Sequence, residues 1–166
     1  MKNYYRKYVF YYVLCVIASG CTGPVEETEA PKNVILFIGD GMGPTTVTAA
    51  RIFDGQSRGK SGEENVLSFE EFPHVALVKT YNTNQQVPDS AGTATAIHSG
   101  VKTRAGVIAV SPSVKRGSCA ESLTNSLPTV AEIAKAKGIG VGIVTTTRLT
   151  HATPATLYAH SAERNW

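Results

Sequence analysis

The chain has 166 residues, of which 42% are hydrophobic and 17% charged, and its formal net charge is +3. This composition is typical of one globular domain and excludes a fibrous or low-complexity chain. Lys2, Arg6 and Lys7 account for three of the 16 basic residues and lie in the first 20 positions, which contain no acid, so 13 basic residues face 13 acidic ones in the remainder. Because that remainder is balanced and has no basic patch, nucleic acid is excluded as an expected partner.

The first 31 residues predict export. A short apolar segment, Tyr8 to Ile17, follows the basic residues, which is typical of a signal peptide over residues 1–20 and too short to span a membrane. Ala18-Ser19-Gly20-Cys21 resembles a bacterial lipobox, in which cleavage leaves a lipid-modified cysteine, although plain cleavage near this point stays open. Residues 21–31 are polar and acidic and are interpreted as a tether. We expect an exported protein of the bacterial periplasm or outer membrane, anchored by lipid at Cys21.

The remaining residues predict strands that alternate with helices. The apolar segments expected to form strands are Val34–Ile38, Val75–Tyr81 and Ile139–Thr146. The expected helices are Pro44 to about Asp54, Ser90 to about Ser99, and Pro128 to Lys137 with Val130, Ile133 and Ala134 on one face; Val101 to Ser126 is expected to be irregular. This order predicts a three-layer α/β/α fold in which helices cover both faces of a mostly parallel central sheet.

The first predicted strand ends in a glycine turn, Gly39-Asp40-Gly41-Met42-Gly43, followed by Pro44. Ligands bind at the carboxyl ends of strands in open α/β sheets, and a carboxylate on a flexible turn is a hard oxygen ligand for a metal ion. Asp40 as a helix cap is one alternative. A dinucleotide-binding turn is another, but its pattern requires a third glycine where Pro44 stands.

The second predicted helix begins with Pro88-Asp89-Ser90-Ala91. The N-terminus of a helix favours an anion, and a serine there is placed to attack a phosphoryl group if a base or a metal activates it. No Gly-x-Ser-x-Gly pattern surrounds Ser90, which argues against a serine esterase. A helix-capping serine is the alternative.

These two motifs resemble those of the alkaline phosphatase family, and the resemblance extends from about Lys32 to Trp166. It is also carried by Thr46–Ile52, by Val144–Arg148 and by the stretch from Thr150 to Trp166. The resemblance implies that residues 32–166 form the N-terminal part of the catalytic domain, and that the downstream Asp, His and Glu zinc ligands of the family are not in this chain. It further implies a homodimer for the full-length form.

The resemblance also implies an activity and its metals. These are the hydrolysis of phosphate monoesters to inorganic phosphate through a phosphoserine at Ser90, with two Zn²⁺ and one Mg²⁺. Asp40 matches the ligand that bridges the second zinc and the magnesium, Ser90 a zinc ligand, and Thr153 a magnesium ligand. His151 matches a neighbouring position, where imidazole suits zinc better than magnesium; a loop histidine bonded to backbone is the alternative. We expect His151 and Thr153 on one side of an extended segment.

Arg164 matches the phosphate-binding arginine of the family, whose planar fork can hold two phosphate oxygens. Asp89 is placed to orient it; a solvated surface arginine is the alternative. Cys119 is the cysteine outside the leader and lipobox, and it is expected either as a buried thiol or, as some animal members of the family imply, in a disulfide with a residue outside this chain. The rival function is a non-catalytic, membrane-anchored lipoprotein that retains a vestigial phosphatase domain.

Overall fold

The computed structural model describes residues 33–166, which form helices and irregular segments and contain no β-strand. The predicted signal peptide, the tether and Cys21 lie outside the described residues. From Ile38 to Trp166 the chain forms one compact unit, and residues 33–37 fall outside it. The helices are α1 (Pro44–Ser57), the 3₁₀ helix η1 (Ser68–Glu71), α2 (Ser90–Ser99), α3 (Cys119–Thr124), α4 (Val130–Ala136) and α5 (Ala152–Ala155). None of these helices has the length and apolar character that a membrane crossing requires.

Helix α2 has the bounds that its sequence predicts. Asp89 is the N-cap, and its side chain accepts a hydrogen bond from the backbone N–H of Gly92. Gly100 ends the helix in the left-handed conformation, with φ 74°, and its N–H bonds to the carbonyl of Ala96. A carboxylate at the start and a left-handed glycine at the end are strong boundary signals, since each satisfies backbone groups that the helix leaves unpaired.

Helices α1 and α4 are confirmed with changed bounds. Pro44 begins α1 as expected, but the helix continues through Gly55 to Ser57. Gly55 is buried because the following loop folds back, and a Cβ there would lie 2.6 Å from Cα of Gly62. A capping box of Thr129 and Glu132 starts α4, whose buried residue is Ala131. Val130 and Ile133, expected on the packed face, are half exposed.

The predicted strands Val34–Ile38, Val75–Tyr81 and Ile139–Thr146 do not form in this structure, so these predictions are wrong. All three segments are extended or irregular and carry no strand. Their apolar side chains are largely exposed, with Leu77 at 99% and Val144 at 102% of full exposure. A strand has no internal hydrogen bonds and forms only against a neighbouring strand. None of the three segments has such a neighbour among the described residues, where the bridges are isolated pairs elsewhere.

The core lies instead around the segment that was expected to be irregular. Residues 105–110 are buried, although they form no regular element beyond two isolated bridges. Ile108 and Ala109 pack with Ala91 of α2 and with Ala152 and Ala155 of α5. A second cluster joins Val107, Val110, Val114 and Ala162. This segment therefore holds α2 and α5 on one side and the C-terminal residues on the other.

Candidate functional site

Asp89 connects four parts of the chain through its carboxylate. Its Oδ1 accepts hydrogen bonds from Asn82 Nδ2 at 2.7 Å and from the Gly92 N–H at 3.0 Å. Its Oδ2 accepts from the Gly106 N–H at 2.8 Å and from Arg164 Nη1 at 3.1 Å. Burial by itself would raise the pKa of Asp89, but these hydrogen bonds outweigh it and hold the pKa below its usual value. The carboxylate is therefore ionised and fixed in one orientation at neutral pH.

Ser90 is the first residue of α2 and directly follows this carboxylate. Because Asp89 is the N-cap, the alternative in which Ser90 caps the helix is wrong. One of the first-turn N–H groups, that of Gly92, is already bonded to Asp89. The helix dipole still places its positive end at Ser90, where a developing negative charge is stabilised.

Arg164 lies against Asp89 and is not a free surface side chain. The two form an ion pair of 3.1 Å in which each side chain is about four-fifths buried, with 22% and 21% exposed. The backbone N–H of Arg164 also donates to the carbonyl of Gly106 at 2.8 Å. The side chains of Asp89 and Arg164 are thus in contact, as the sequence suggested, across 75 positions of chain.

Asp40 lies on the glycine turn, and its carboxylate is close to side chains at the start of α5. Thr153 Oγ1 donates to Asp40 Oδ2 at 2.7 Å, and His151 Nδ1 lies 3.8 Å from the same oxygen. Helix α1 is preceded by Gly43 and has no side-chain cap, so the helix-capping alternative for Asp40 is wrong. The structure therefore brings together three of the four predicted metal ligands, Asp40, His151 and Thr153.

His151 and Thr153 do not lie on an extended segment. His151 is the N-cap of α5 and Thr153 lies inside this helix, so the side chains reach Asp40 from a helical turn. The Thr153 N–H donates to His151 Nδ1 at 3.5 Å, which agrees with the backbone-bonded alternative as well.

Three further histidines lie among the described residues. Buried His98 bonds to Thr156 Oγ1 at 2.9 Å, and burial lowers its pKa. Burial opposes protonation of His160, but its bonds to the Ala109 carbonyl and to Glu132 raise the pKa above the usual value. His74 is exposed.

The side-chain ligand atoms around Asp40 suit Mg²⁺ better than Zn²⁺. A carboxylate and a hydroxyl oxygen 2.7 Å apart are the hard ligands that Mg²⁺ prefers. Zinc requires three or four nitrogen, sulfur or carboxylate ligands, and no group of three or more His, Cys, Asp and Glu side chains with that capacity occurs among residues 33–166. The described residues therefore fit a magnesium site in part and do not form a zinc site.

Two residues at this site were not predicted. Asn82 is buried at 3% exposure and holds Asp89, and its Oδ1 would lie 2.8 Å from a Cβ at Gly92. Gly106 bonds Asp89 through its N–H and Arg164 through its carbonyl, with φ 80°. The polar Asn82 before a helix and the isolated Gly106 in an apolar stretch were the available signals, but neither indicates its partner.

Comparisons with known proteins identify the family of this chain. The family model described as alkaline phosphatase matches residues 31–166. The tissue-nonspecific alkaline phosphatase of Gallus gallus is 57% identical over 135 residues, which are 81% of this chain and 26% of that protein. The chain thus spans about a quarter of the length of this relative.

Solved structures of alkaline phosphatases are also similar to this chain. Alkaline phosphatase from the Antarctic bacterium TAB5 has a TM-score of 0.61 and 29% identity, over 76% of this chain and 31% of that one. A histidine-to-glutamate mutant of the TAB5 enzyme, with Mg bound in its M3 site, has a TM-score of 0.61 and 28% identity over the same shares of the two chains.

Proposed function

The chain belongs to the alkaline phosphatase family, and its similarity to solved structures supports the α/β fold of that family. We propose that it provides the nucleophile and the phosphate-binding side of a phosphate monoesterase. The observation that carries the proposal is the bond from Arg164 Nη1 to Asp89 Oδ2 at 3.1 Å. It links a phosphate-binding guanidinium to the residue that directly precedes Ser90. A nucleophile at a helix N-terminus and an arginine fork are the groups that phosphoryl transfer needs close together.

In the proposed reaction Ser90 Oγ attacks phosphorus in line with the ester bond. The O–P bond to serine forms, the bond to the ester oxygen breaks, and the alcohol leaves with a proton. Water then attacks the phosphoserine, releases inorganic phosphate and returns the proton to Ser90. Arg164 binds two nonbridging oxygens of the phosphoryl group throughout, because its fork matches their spacing.

Two Zn²⁺ and one Mg²⁺ are part of the proposal. Asp40 and Thr153, with His151 beside them, would hold the magnesium, and Asp40 and Ser90 would each supply a ligand to one zinc. The remaining zinc ligands are assigned to the part of the family fold that this chain does not span. When bound, these ions lower the pKa of hydroxyl groups and neutralise charge on the phosphoryl oxygens.

We further propose the arrangement of the rest of the protein. Residues 32–166 would be the N-terminal part of a three-layer catalytic domain, in which the exposed apolar segments pair with strands of the remaining fold. Residues 1–20 would be a signal peptide and residues 21–31 a tether whose Cys21 carries the lipid anchor, in the bacterial periplasm or outer membrane. A homodimer is proposed for the full-length form.

A chimera tests the function. Residues 32–166 would replace the matching segment of the Gallus gallus enzyme, to which the chain is 57% identical over 135 residues. We expect phosphatase activity and a phosphoenzyme that acid quenching traps from labelled phosphate. Ser90→Ala should abolish both, because it removes the attacking oxygen.

Ser99→Ala is the matched control, since Ser99 is the last residue of the same helix. It should retain the phosphoenzyme. Labelling that persists in Ser90→Ala would refute the assignment of the nucleophile. A chimera that folds and binds zinc but never labels would favour the vestigial, non-catalytic alternative.

A further inference from the structure

Arg164 lies on a segment whose backbone is fixed on both sides. Ile108 and Ser161 exchange two backbone hydrogen bonds, of 2.8 and 2.9 Å. The Gly117 N–H donates to the Ala162 carbonyl at 2.8 Å, and the Arg164 N–H donates to Gly106 at the same distance. Residues 161–164 therefore lie between residues 106–108 and the loop that contains Gly117.

A second arginine forms a two-point ion pair with the residue that precedes Arg164. Arg116 Nε donates to Glu163 Oε2 at 2.7 Å, and Arg116 Nη2 donates to Oε1 at 2.8 Å. This paired geometry fixes direction as well as distance. Oε1 of Glu163 also accepts the Asn165 N–H at 3.1 Å, so the carboxylate ties together the residues on both sides of Arg164. The Glu163 side chain is 16% exposed, while that of Arg116 is 48% exposed.

Arg116 also packs against Gly106, the residue whose backbone links Asp89 to Arg164. A Cβ at Gly106 would lie 2.5 Å from both Nε and Cζ of Arg116, so the Arg116 side chain packs directly against this glycine. The N–H of Gly106 bonds Asp89, and its carbonyl bonds the Arg164 N–H. Arg116 therefore holds the Arg164 segment twice, through Glu163 and through Gly106.

We propose that Arg116 is a positioning residue that fixes the guanidinium of Arg164 in its phosphate-binding orientation. It acts through Glu163 and Gly106 and touches neither the phosphate nor Ser90 in this role. The proposal rests on the proposed function of Arg164 as the phosphate ligand. An exposed ion pair that served only general stability would not govern the order of one particular arginine.

The first test is amide hydrogen exchange of the 166-residue chain, measured by NMR. In Arg116→Ala we expect the Arg164 N–H to exchange at least about fivefold faster, because local opening of its segment becomes easier. Arg116→Lys keeps the charge but loses the fork, and it should recover part of the protection. Arg58→Ala removes an arginine–carboxylate pair of α1, 2.8 Å long, and should leave Arg164 unchanged.

Unchanged exchange at Arg164 in Arg116→Ala would overturn the proposal. If Arg116→Ala does not fold, Glu163→Gln replaces it, since the amide keeps the shape of the side chain and loses the ion pair. Equal exchange in Glu163→Gln and the parent would overturn the proposal in the same way.

The second test is titration with inorganic phosphate, followed at the Nε–H of Arg164. Loss of orientation should weaken phosphate binding by about fivefold in Arg116→Ala, with Arg116→Lys intermediate, because an ordered fork loses less entropy on binding. Equal affinities in the parent and Arg116→Ala would overturn the positioning role. A parent chain whose Arg164 resonance does not respond to phosphate would count against the proposed function of Arg164, while the exchange result still decides whether Arg116 orders its segment.

Discussion

The proposed phosphate side of the candidate site, around Asp89 and Arg164, and its proposed metal side, around Asp40, are built in different ways. On the phosphate side, Asp89 receives four hydrogen bonds from different parts of the chain, and its ion pair with Arg164 is largely buried. On the metal side, the Asp40 side chain is 42% exposed and is met by Thr153 and His151. One half is closed by contacts within residues 38–166, and the other presents ligands to solvent.

The difference shows which part of the chemistry this length of chain can organise. Binding an anion needs fixed donors, and hydrogen bonds from a packed loop and a helix cap supply them. Holding a metal ion tightly needs three or more converging ligands, each with its lone pair directed at one point. We therefore expect changes on the phosphate side to alter the fold itself, and changes on the metal side to alter ion binding.

The largest expected effect concerns turnover. The chain by itself should show little or no hydrolysis of p-nitrophenyl phosphate, even with excess zinc and magnesium. Residues 33–166 contain no cluster of three or more His, Cys, Asp and Glu side chains able to hold zinc, so they offer no complete site for the ions that would activate the attacking water. Turnover by this chain that disappears in Ser90→Ala would show that the residues present assemble a working metal site without further ligands. That result would contradict the difference drawn between the two sides.

The next effect concerns stability on the phosphate side. Asp89→Asn should lower the free energy of unfolding by about 1–3 kcal/mol, because donors from Gly106 and Arg164 lose their charged acceptor in a largely buried site. Urea unfolding of parent and variant would measure it. Asp54→Asn is the control, since Asp54 on α1 also bonds two side chains, those of Arg58 and Asn65, and should cost less than about 1 kcal/mol. Equal losses in the two variants would contradict the special place of Asp89.

The same carboxylate predicts a pH dependence. The folded-state pKa of Asp89 lies below its ordinary value of 3.8, because its hydrogen bonds favour the charged form more strongly than burial disfavours it. Stability from Asp89 is therefore fully present above pH 3.8 and is lost as the pH falls through the folded-state pKa. Asp89→Asn should flatten the acid limb of the stability curve, and an unchanged limb would assign acid unfolding to other carboxylates.

The sequence predicts those parts of the fold whose boundaries are set by neighbouring residues, and it fails where an element depends on distant partners. Helix α2 was placed correctly because Asp89 and Gly100 mark its ends within the helix itself. Strands depend on partners, so the apolar character of Val75–Tyr81 was a poor guide in a chain that spans about a quarter of its relative's length. The buried segment around Ile108 was missed because its burial comes from other elements, such as the Thr95 hydroxyl that accepts the Ala109 N–H at 2.9 Å.

The residues of the candidate site also differ in how far the sequence predicts them. Motifs predicted Asp40 and Ser90, and the family resemblance added His151, Thr153 and Arg164, with Asp89 expected to orient Arg164. The pair of Arg116 with Glu163 spans 47 positions and has no local pattern, so only the folded chain reveals it. A residue's chemistry can be predicted from its motif, whereas its support depends on long-range packing.

The smallest expected effect lies on the metal side, at Thr153. Thr153→Val keeps the shape of the side chain but removes the hydroxyl that bonds Asp40 at 2.7 Å. At a Mg²⁺ concentration equal to the parent's dissociation constant, the ion stabilises the folded chain by about 0.4 kcal/mol, and Thr153→Val should lose most of this increment. Thermal unfolding with and without MgCl₂ measures the difference.

Two variants make the test at Thr153 specific. Thr153→Ser retains a hydroxyl and should keep the Mg²⁺ increment, while Thr48→Val removes an exposed hydroxyl of α1, bonded to the Pro44 carbonyl at 3.0 Å, and should not change it. Because the Thr153 bond to Asp40 is exposed, its loss should barely move stability in the absence of metal, in contrast with Asp89→Asn. A Mg²⁺ response that survives in Thr153→Val would remove Thr153 from the proposed ligands and leave Asp40 to bind the ion through its carboxylate and water.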